Sequence, residues 1–293
     1  MVETRDKEFI EKRLNTPGLS LAGTRNYISG LDVEENQNLA TESLRKELPQ
    51  ESEQDKDDIE AIIYCGCSFY DEQKYECAIE EFTKAIEIDP NNAEVYLFRG
   101  LSYSCENKYK QAIVDLTKAI ELEPNNAEAF LYRGKTYFLK ARFELDNCNH
   151  ALSKEEYDLA ENDLTKAIEL DPNNIDAYYY RGKIFVDTFW YDLAKADFTT
   201  ALILSPNDIY LYIARGKLYR HLCEYDLAIN DYTQAIQIKP DESSLYSSRG
   251  EIYELKKDIK YAIDDYENAL KIDSTNSTAK WNLDKIREKI EGV

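Results

Sequence analysis

Arginine is the recurrent residue with the most chemistry of its own in this chain. It stands at Arg99, Arg133, Arg181, Arg215 and Arg249, beside a second recurrence of acids at Glu81, Asp115, Asp163, Asp197, Asp231 and Asp265. A guanidinium presents a planar fork of N–H donors that a carboxylate can accept in pairs. Each arginine follows the acid of the preceding segment at one constant offset, as Arg181 follows Asp163, and Cys65 replaces it in the one segment with no predecessor. The offset predicts ion pairs running from one segment to the next, which set register more surely than they stabilise. The rival reading keeps the arginines as a ladder for acidic ligands.

Other chemistry is thinly supplied. The two histidines, His150 and His221, are far apart in the sequence. Cys65-Gly66-Cys67 would place its thiols about 200° apart around a helix, poor geometry for zinc, and no second pair stands at finger spacing. Cys148-Asn149-His150 lacks two further ligands. No glycine-rich phosphate loop is present. No metal, cofactor or catalytic set is expected, and the carboxylates read as a solvated surface and helix caps. The chain carries 57 acidic against 36 basic residues, a net charge of −21. That charge repels phosphate backbones and anionic lipid, so neither nucleic acid nor membrane is an expected partner. The start lacks a signal-peptide core and no apolar run is long enough to span a bilayer. Six dispersed cysteines then read as reduced thiols in a cytoplasmic protein.

The elements that must position these residues are marked by glycine and proline. Gly66, Gly100, Gly134, Gly182, Gly216 and Gly250 are spaced 34, 34, 48, 34 and 34, and Pro90, Pro124, Pro172, Pro206 and Pro240 keep the same rhythm. Two residue types on one period make an internal repeat. It gives six repeats, 59–92, 93–126, 127–174, 175–208, 209–242 and 243–276, the third with 14 extra residues near 141–154. Each repeat divides into two helices. In the second, Tyr96, Arg99, Gly100 and Tyr103 form one face, and Ala112, Leu116 and Ala119 form the facing stripe. Pro124 ends the second helix, and Asn125 with Glu128 suggests the next cap, as do Asn91 with Glu94 and Asn173 with Asp176.

Residues 59–276 resemble the tetratricopeptide repeat family, whose W-x2-L-G-x2-Y…A-x3-F…A…P pattern is matched at its Gly, aromatic, Ala and Pro positions. The departures are systematic: Tyr96, Tyr178, Tyr212 and Tyr246 replace Trp, as do Phe130 and Ile62. Arginine replaces Leu before the glycine, and Ser274 replaces the last Pro. The resemblance implies an all-α fold, an α-solenoid forming a right-handed superhelix of six helical hairpins. It also implies a concave face, formed by the first helices, that binds peptides or partner proteins. The implied groove residues are Tyr64, Leu97, Phe98, Leu101, Tyr132, Lys135, Phe138, Tyr179, Tyr180, Lys183, Ile213, Lys217 and Arg220. This groove is aromatic toward its N-terminal end, with a lysine stripe suited to an acidic or C-terminal carboxylate ligand. Chaperone-tail-binding members use Lys and Asn where this first repeat has Ile63 and Cys67, so that subclass is not implied.

Residues 277–293 predict an amphipathic capping helix, with Trp281, Leu283, Ile286 and Ile290 as its stripe. Residues 1–58, with 8 basic and 14 acidic residues, predict a partly disordered acidic tail. The function expected is a non-catalytic scaffold or adaptor holding a partner peptide or helix. The alternative is a structural protein that self-associates through repeat ends or its tyrosine-rich surface, although nothing in the sequence indicates an oligomer. RNA binding by stacking along the lysine stripe is opposed by the net charge.

Overall fold

The computed structural model describes residues 54–146 and 150–291, with side chains from 59–145 and 153–290. The acidic tail and the Cys148-Asn149-His150 segment, as side chains, lie outside these residues. Thirteen helices and no strand are present among the described residues. They are α1 (Gln54–Asp71), α2 (Tyr75–Ile88), α3 (Ala93–Cys105), α4 (Tyr109–Leu122), α5 (Ala127–Asp146), α6 (His150–Leu170) and α7 (Ile175–Asp187). The others are α8 (Tyr191–Leu204), α9 (Ile209–His221), α10 (Tyr225–Ile238), α11 (Ser243–Lys256), α12 (Ile259–Ile272) and α13 (Ser277–Glu291). The architecture is an all-α solenoid of helix hairpins. It divides after Ser153 into two compact bodies.

In five of the hairpins the second helix lays a large side chain beneath the glycine of the first. Phe82, Leu116, Phe198, Tyr232 and Tyr266 fill that position beneath Gly66, Gly100, Gly182, Gly216 and Gly250 and are fully buried. The crossing is close: a Cβ on Gly182 would stand 2.7 Å from Cε1 of Phe198, and one on Gly66 would stand 2.6 Å from Phe82. This contact is the reason glycine persists in the middle of a helix, where it is otherwise disfavoured by about 1 kcal/mol against alanine.

The caps differ from the sequence expectation by one residue. Asn92 Oδ1 accepts from Val95 N at 3.2 Å, Asn126 from Ala129 N at 3.1 Å and Asn174 from Ala177 N at 2.9 Å. The caps are therefore the second asparagines of the pairs, not Asn91, Asn125 and Asn173. The reason is the turn before each helix. Asn91 N and Asn173 N are held by the carboxylates of Asp89 and Asp171, both at 3.0 Å, so the helix begins one residue later.

The insertion in the third repeat lengthens helices: α5 has 20 residues and α6 has 21, against 13 and 14 in α3 and α4. At the C-terminal end, Ala279, Leu283 and Ile286 of α13 pack onto Ala262, Tyr266 and Ala269 of α12. Trp281 and Ile290 do not join that stripe and are exposed, Trp281 lying under the Lys285 ammonium at 5.0 Å.

Candidate functional site

The arginine series forms a ladder, but not the one its offset suggested. Arg181 Nε and Nη2 donate to Asp197 Oδ2 and Oδ1, both at 2.8 Å. The same fork joins Arg99 to Asp115, Arg215 to Asp231 and Arg249 to Asp265. Each of these pairs lies inside one hairpin and spans its two helices. The expected pairing of Arg181 with Asp163 across a repeat boundary is replaced by Arg181 with Asp197. The boundary is crossed by the third donor: Arg181 Nη1 reaches Thr165 Oγ1 of the preceding repeat at 3.1 Å. Arg99, Arg133, Arg215 and Arg249 reach Thr83, Thr117, Thr199 and Thr233 in the same way. Thr83 in turn donates to Ile79 O at 2.7 Å, so its hydroxyl is used twice.

Aromatic rings complete the arginine seat. The Arg99 guanidinium lies 5.7 Å from the Tyr96 ring and 5.9 Å from that of Tyr103. Arg181 sits likewise between Tyr178 and Phe185, and Arg249 between Tyr246 and Tyr253. Three of the tyrosines that depart from the usual repeat pattern, Tyr96, Tyr178 and Tyr246, are thus faces of a cation–π seat. Burial pulls the Arg99 guanidinium down, and the hydrogen bond and charge of Asp115 more than offset it, leaving it above its ordinary value. In the first repeat Cys65 holds the arginine position and Glu81 pairs with Lys84 at 2.6 Å. In the last repeat Glu267 replaces the threonine and accepts from Arg287 of α13 at 3.0 Å. Asp163 is buried on α6. Sequence reasoning missed the threonines. Their signal was available, since a threonine precedes every ladder arginine at one fixed offset, as Thr165 precedes Arg181.

The expected groove residues divide by burial. Leu97, Phe98, Leu101, Tyr132, Lys135, Phe138 and Tyr180 are buried, so they do not form an open contact surface in this structure. Phe98 stacks on Phe82 of the preceding helix at 5.7 Å, a contact between successive repeats. Lys135 lies 5.7 Å from the Tyr132 ring. Tyr64, Lys217 and Arg220 are exposed or partly so, while Tyr179, Lys183 and Ile213 are half-buried. In the second body the Lys183 ammonium stands 5.2 Å from the Tyr179 ring and 5.8 Å from that of Tyr180. Arg220 donates to Glu251 Oε2 at 2.8 Å.

The cysteines Cys65, Cys67, Cys77, Cys105 and Cys223 are free thiols. Burial pushes the Cys67 thiol far above its ordinary value, which leaves it a packing residue rather than a nucleophile. Ile63 and Cys67, at the positions tested for a carboxylate clamp, are both buried. His221 is exposed and its Nε2 lies 2.9 Å from the Tyr191 hydroxyl. Among the described residues no cluster of three or more His, Cys, Asp or Glu is placed to hold a metal. No described helix is long and apolar enough to cross a membrane.

Family models described as TPR repeat match residues 66–104, 106–140 and 151–188. Two more, described as tetratricopeptide repeat, match 209–242 and 243–276. Among solved structures, YrrB, described as a TPR protein with an unusual peptide-binding site, is similar with a TM-score of 0.53 at 23% identity, over 69% of this chain and 96% of its own. MamA is similar with a TM-score of 0.52 at 25% identity, over 63% of this chain and 93% of its own. PilF of Pseudomonas aeruginosa is similar with a TM-score of 0.63 at 18% identity, over 80% of this chain and all of its own. No curated protein matches the chain.

Proposed function

The chain belongs to the tetratricopeptide-repeat family, and on that premise we propose that it is a non-catalytic scaffold holding an extended peptide or helix of another protein against its first-helix faces. The observation that carries this reading is a division of labour on α7 and α9. Arg181 and Arg215 are committed to the ladder, and Gly182 and Gly216 to the crossing. Tyr179, Lys183, Ile213, Lys217 and Arg220 keep solvent-facing surface on the same two helices. They combine an aromatic ring, an aliphatic side chain and three cations within a chain of net charge −21. Such a face favours an acidic segment or a terminal carboxylate, with Tyr179 supplying contact area at little entropic cost. Tyr64 offers a further exposed ring on α1 in the first body.

The alternative, self-association through repeat ends, draws less support. At the C-terminal end α13 lays Leu283 and Ile286 over the last hairpin, and its outward residues are mostly charged, Trp281 and Ile290 being the exposed apolar exceptions. Retention of partners from native lysate, compared between wild type and Lys183→Glu/Lys217→Glu, tests the proposal. Circular dichroism checks that the variant keeps its helices. A protein held by wild type and lost by the folded variant is the expected result. Identical retention by both would end the reading.

A further inference from the structure

The tetrapeptide Tyr-Asp-Leu-Ala occurs three times, at 157–160, 191–194 and 225–228, once in each of three successive repeats. Its alanine is fully buried each time. The leucine before it is turned by about 100° and cannot share that face. Leu159, Leu193 and Leu227 are accordingly exposed, as is Tyr261 at the same place in the last repeat. The first two repeats have Cys77 and Gln111 there. Asp158, Asp192 and Asp226, beside the leucines, are also exposed.

One hairpin tip in this same body is unlike the others. The turn between the two helices is closed by a residue with positive φ, which is Gln73, Asn107, Cys223 and Lys257 in four repeats but Phe189, at φ 66°, in the fourth. A bulky side chain is disfavoured in the left-handed region. Phe189 is nevertheless 75% exposed and the adjoining Trp190 is 64% exposed. Lys108, Glu224 and Asp258 take the place of Trp190 in other repeats. The turn closes with other residues elsewhere, so neither ring is required for it, and both strain and apolar exposure are retained at one place.

We propose that this aromatic tip and the leucine row form a second docking surface, separate from the first-helix face, that takes a basic amphipathic segment of a partner protein. The acids decide the occupant. Asp158, Asp192 and Asp226 line the leucine row, and Asp187 ends α7 just before the tip. Asp192 and Asp226 already meet Lys195 at 3.0 Å and Lys256 at 2.7 Å, yet remain 95% and 82% exposed. Surface pairs of this kind exchange readily for an incoming lysine or arginine. A second copy would bring the same acids face to face, and anionic lipid would meet the same repulsion. Leucine and aromatic anchors flanked by cations are the complementary pattern.

The test uses the full chain and a fluorescently labelled helix of about 20 residues, designed from leucine on one face and lysine on the other. Anisotropy is read for wild type, Phe189→Asn/Trp190→Lys and Leu159→Gln/Leu193→Gln/Leu227→Gln. The replacements copy the second repeat, whose Asn107, Lys108 and Gln111 already serve at these positions, so both variants should retain wild-type helicity. Binding by wild type, weakened about ten-fold or more in each variant and reduced by salt, is the expected result. A matching leucine–glutamate helix should not bind, and Lys183→Glu/Lys217→Glu should bind as wild type does. Equal binding by wild type and both surface variants overturns the proposal, as does a preference for the acidic helix. Wild-type dimerisation or binding to phosphatidylserine vesicles that these same substitutions abolish would assign the surface to another occupant and also overturn it.

Discussion

Removal of the Asp197 carboxylate tests the ladder most directly. Its side chain is 7% exposed and that of Arg181 is 18% exposed. Asp197→Ala deletes two charge-assisted hydrogen bonds and strands a mostly covered guanidinium. Breaking a fully buried pair from one side costs about 3–5 kcal/mol. Arg181 retains its bond to Thr165, its two aromatic neighbours and some access to water, so the expected loss is about 2–3 kcal/mol. For an array of this size that corresponds to a melting temperature lower by roughly 5–10 °C. Asp192→Ala, on the same helix but almost fully exposed, is the control and should stay within about 0.5 kcal/mol. Urea unfolding followed by circular dichroism gives both values. A double-mutant cycle of Arg181→Met with Asp197→Leu should give a larger coupling than the cycle of Arg181→Met with Asp163→Leu. The reasoning is refuted if Asp197→Ala behaves like Asp192→Ala, or if the second cycle gives the larger coupling.

Three further outcomes follow from the geometry. Gly182→Ala gains helix propensity but drives a Cβ to 2.7 Å from Phe198, so thermal unfolding should show a net loss of about 1–2 kcal/mol. Gly216→Ala, whose nearest neighbour would be Tyr232 at 3.1 Å, should lose less. Asn174→Ala should cost about 1 kcal/mol and Asn173→Ala under half of that, because only Asn174 accepts from the first turn of α7. Chemical denaturation of the two variants separates them, and the reverse order would restore the cap to Asn173. Hydrogen bonds from Lys239 and Ser244 hold the Glu242 carboxyl below its ordinary value of 4.5. Stabilisation from that depression is present above the ordinary value and is lost as pH falls through the lowered one. Glu242→Gln should therefore be less stable by a few tenths of a kcal/mol near neutrality, since the pair is partly solvated, with the difference vanishing in acid.

Most of the fold was legible because its periodic marks are packing marks. Gly182 can be nothing larger beneath Phe198, and Ala194 is fully buried, so residue type alone reports position. The caps were displaced because a Pro-Asn-Asn turn contains two chemically equal candidates. The choice between Asn173 and Asn174 is made by the Asp171 carboxylate, which holds the first of them in the turn. The ladder was misassigned for a related reason. In a strict repeat, an acid at a fixed distance after one arginine is also at a fixed distance before the next. Spacing alone is blind to which of the two partners is chosen. The first repeat favoured the wrong one, since it lacks both the arginine and a predecessor. That repeat differs in two further ways: Pro49 stands where the ladder threonine would precede Cys65, and Glu81 pairs with Lys84. Burial of the expected groove residues was likewise hidden. Leu97 and Lys217 both belong to first helices, and only packing shows that one is enclosed and the other open.

That contrast separates the two kinds of recurrence in the chain. Positions that hold the array together recur with little variation: an arginine, its acid, the threonine before it, the glycine and the alanine. Each answers to a neighbour that is itself repeated, so a change in one repeat meets an unchanged partner in the same or the next one. Arg181 with Asp197 and Thr165 is such a closed set. Positions released from that constraint vary, and some vary against their own conformational preference. Phe189 occupies a left-handed turn that asparagine or lysine fills elsewhere, and it carries an adjoining exposed tryptophan. The turn does not require that choice, because it closes without it in four other repeats, and the edge contact of the Phe189 ring with Tyr191 at 6.1 Å leaves most of the ring exposed. Broken periodicity combined with exposure and strain is therefore a better guide to recognition surfaces here than the repeated pattern, which explains stability.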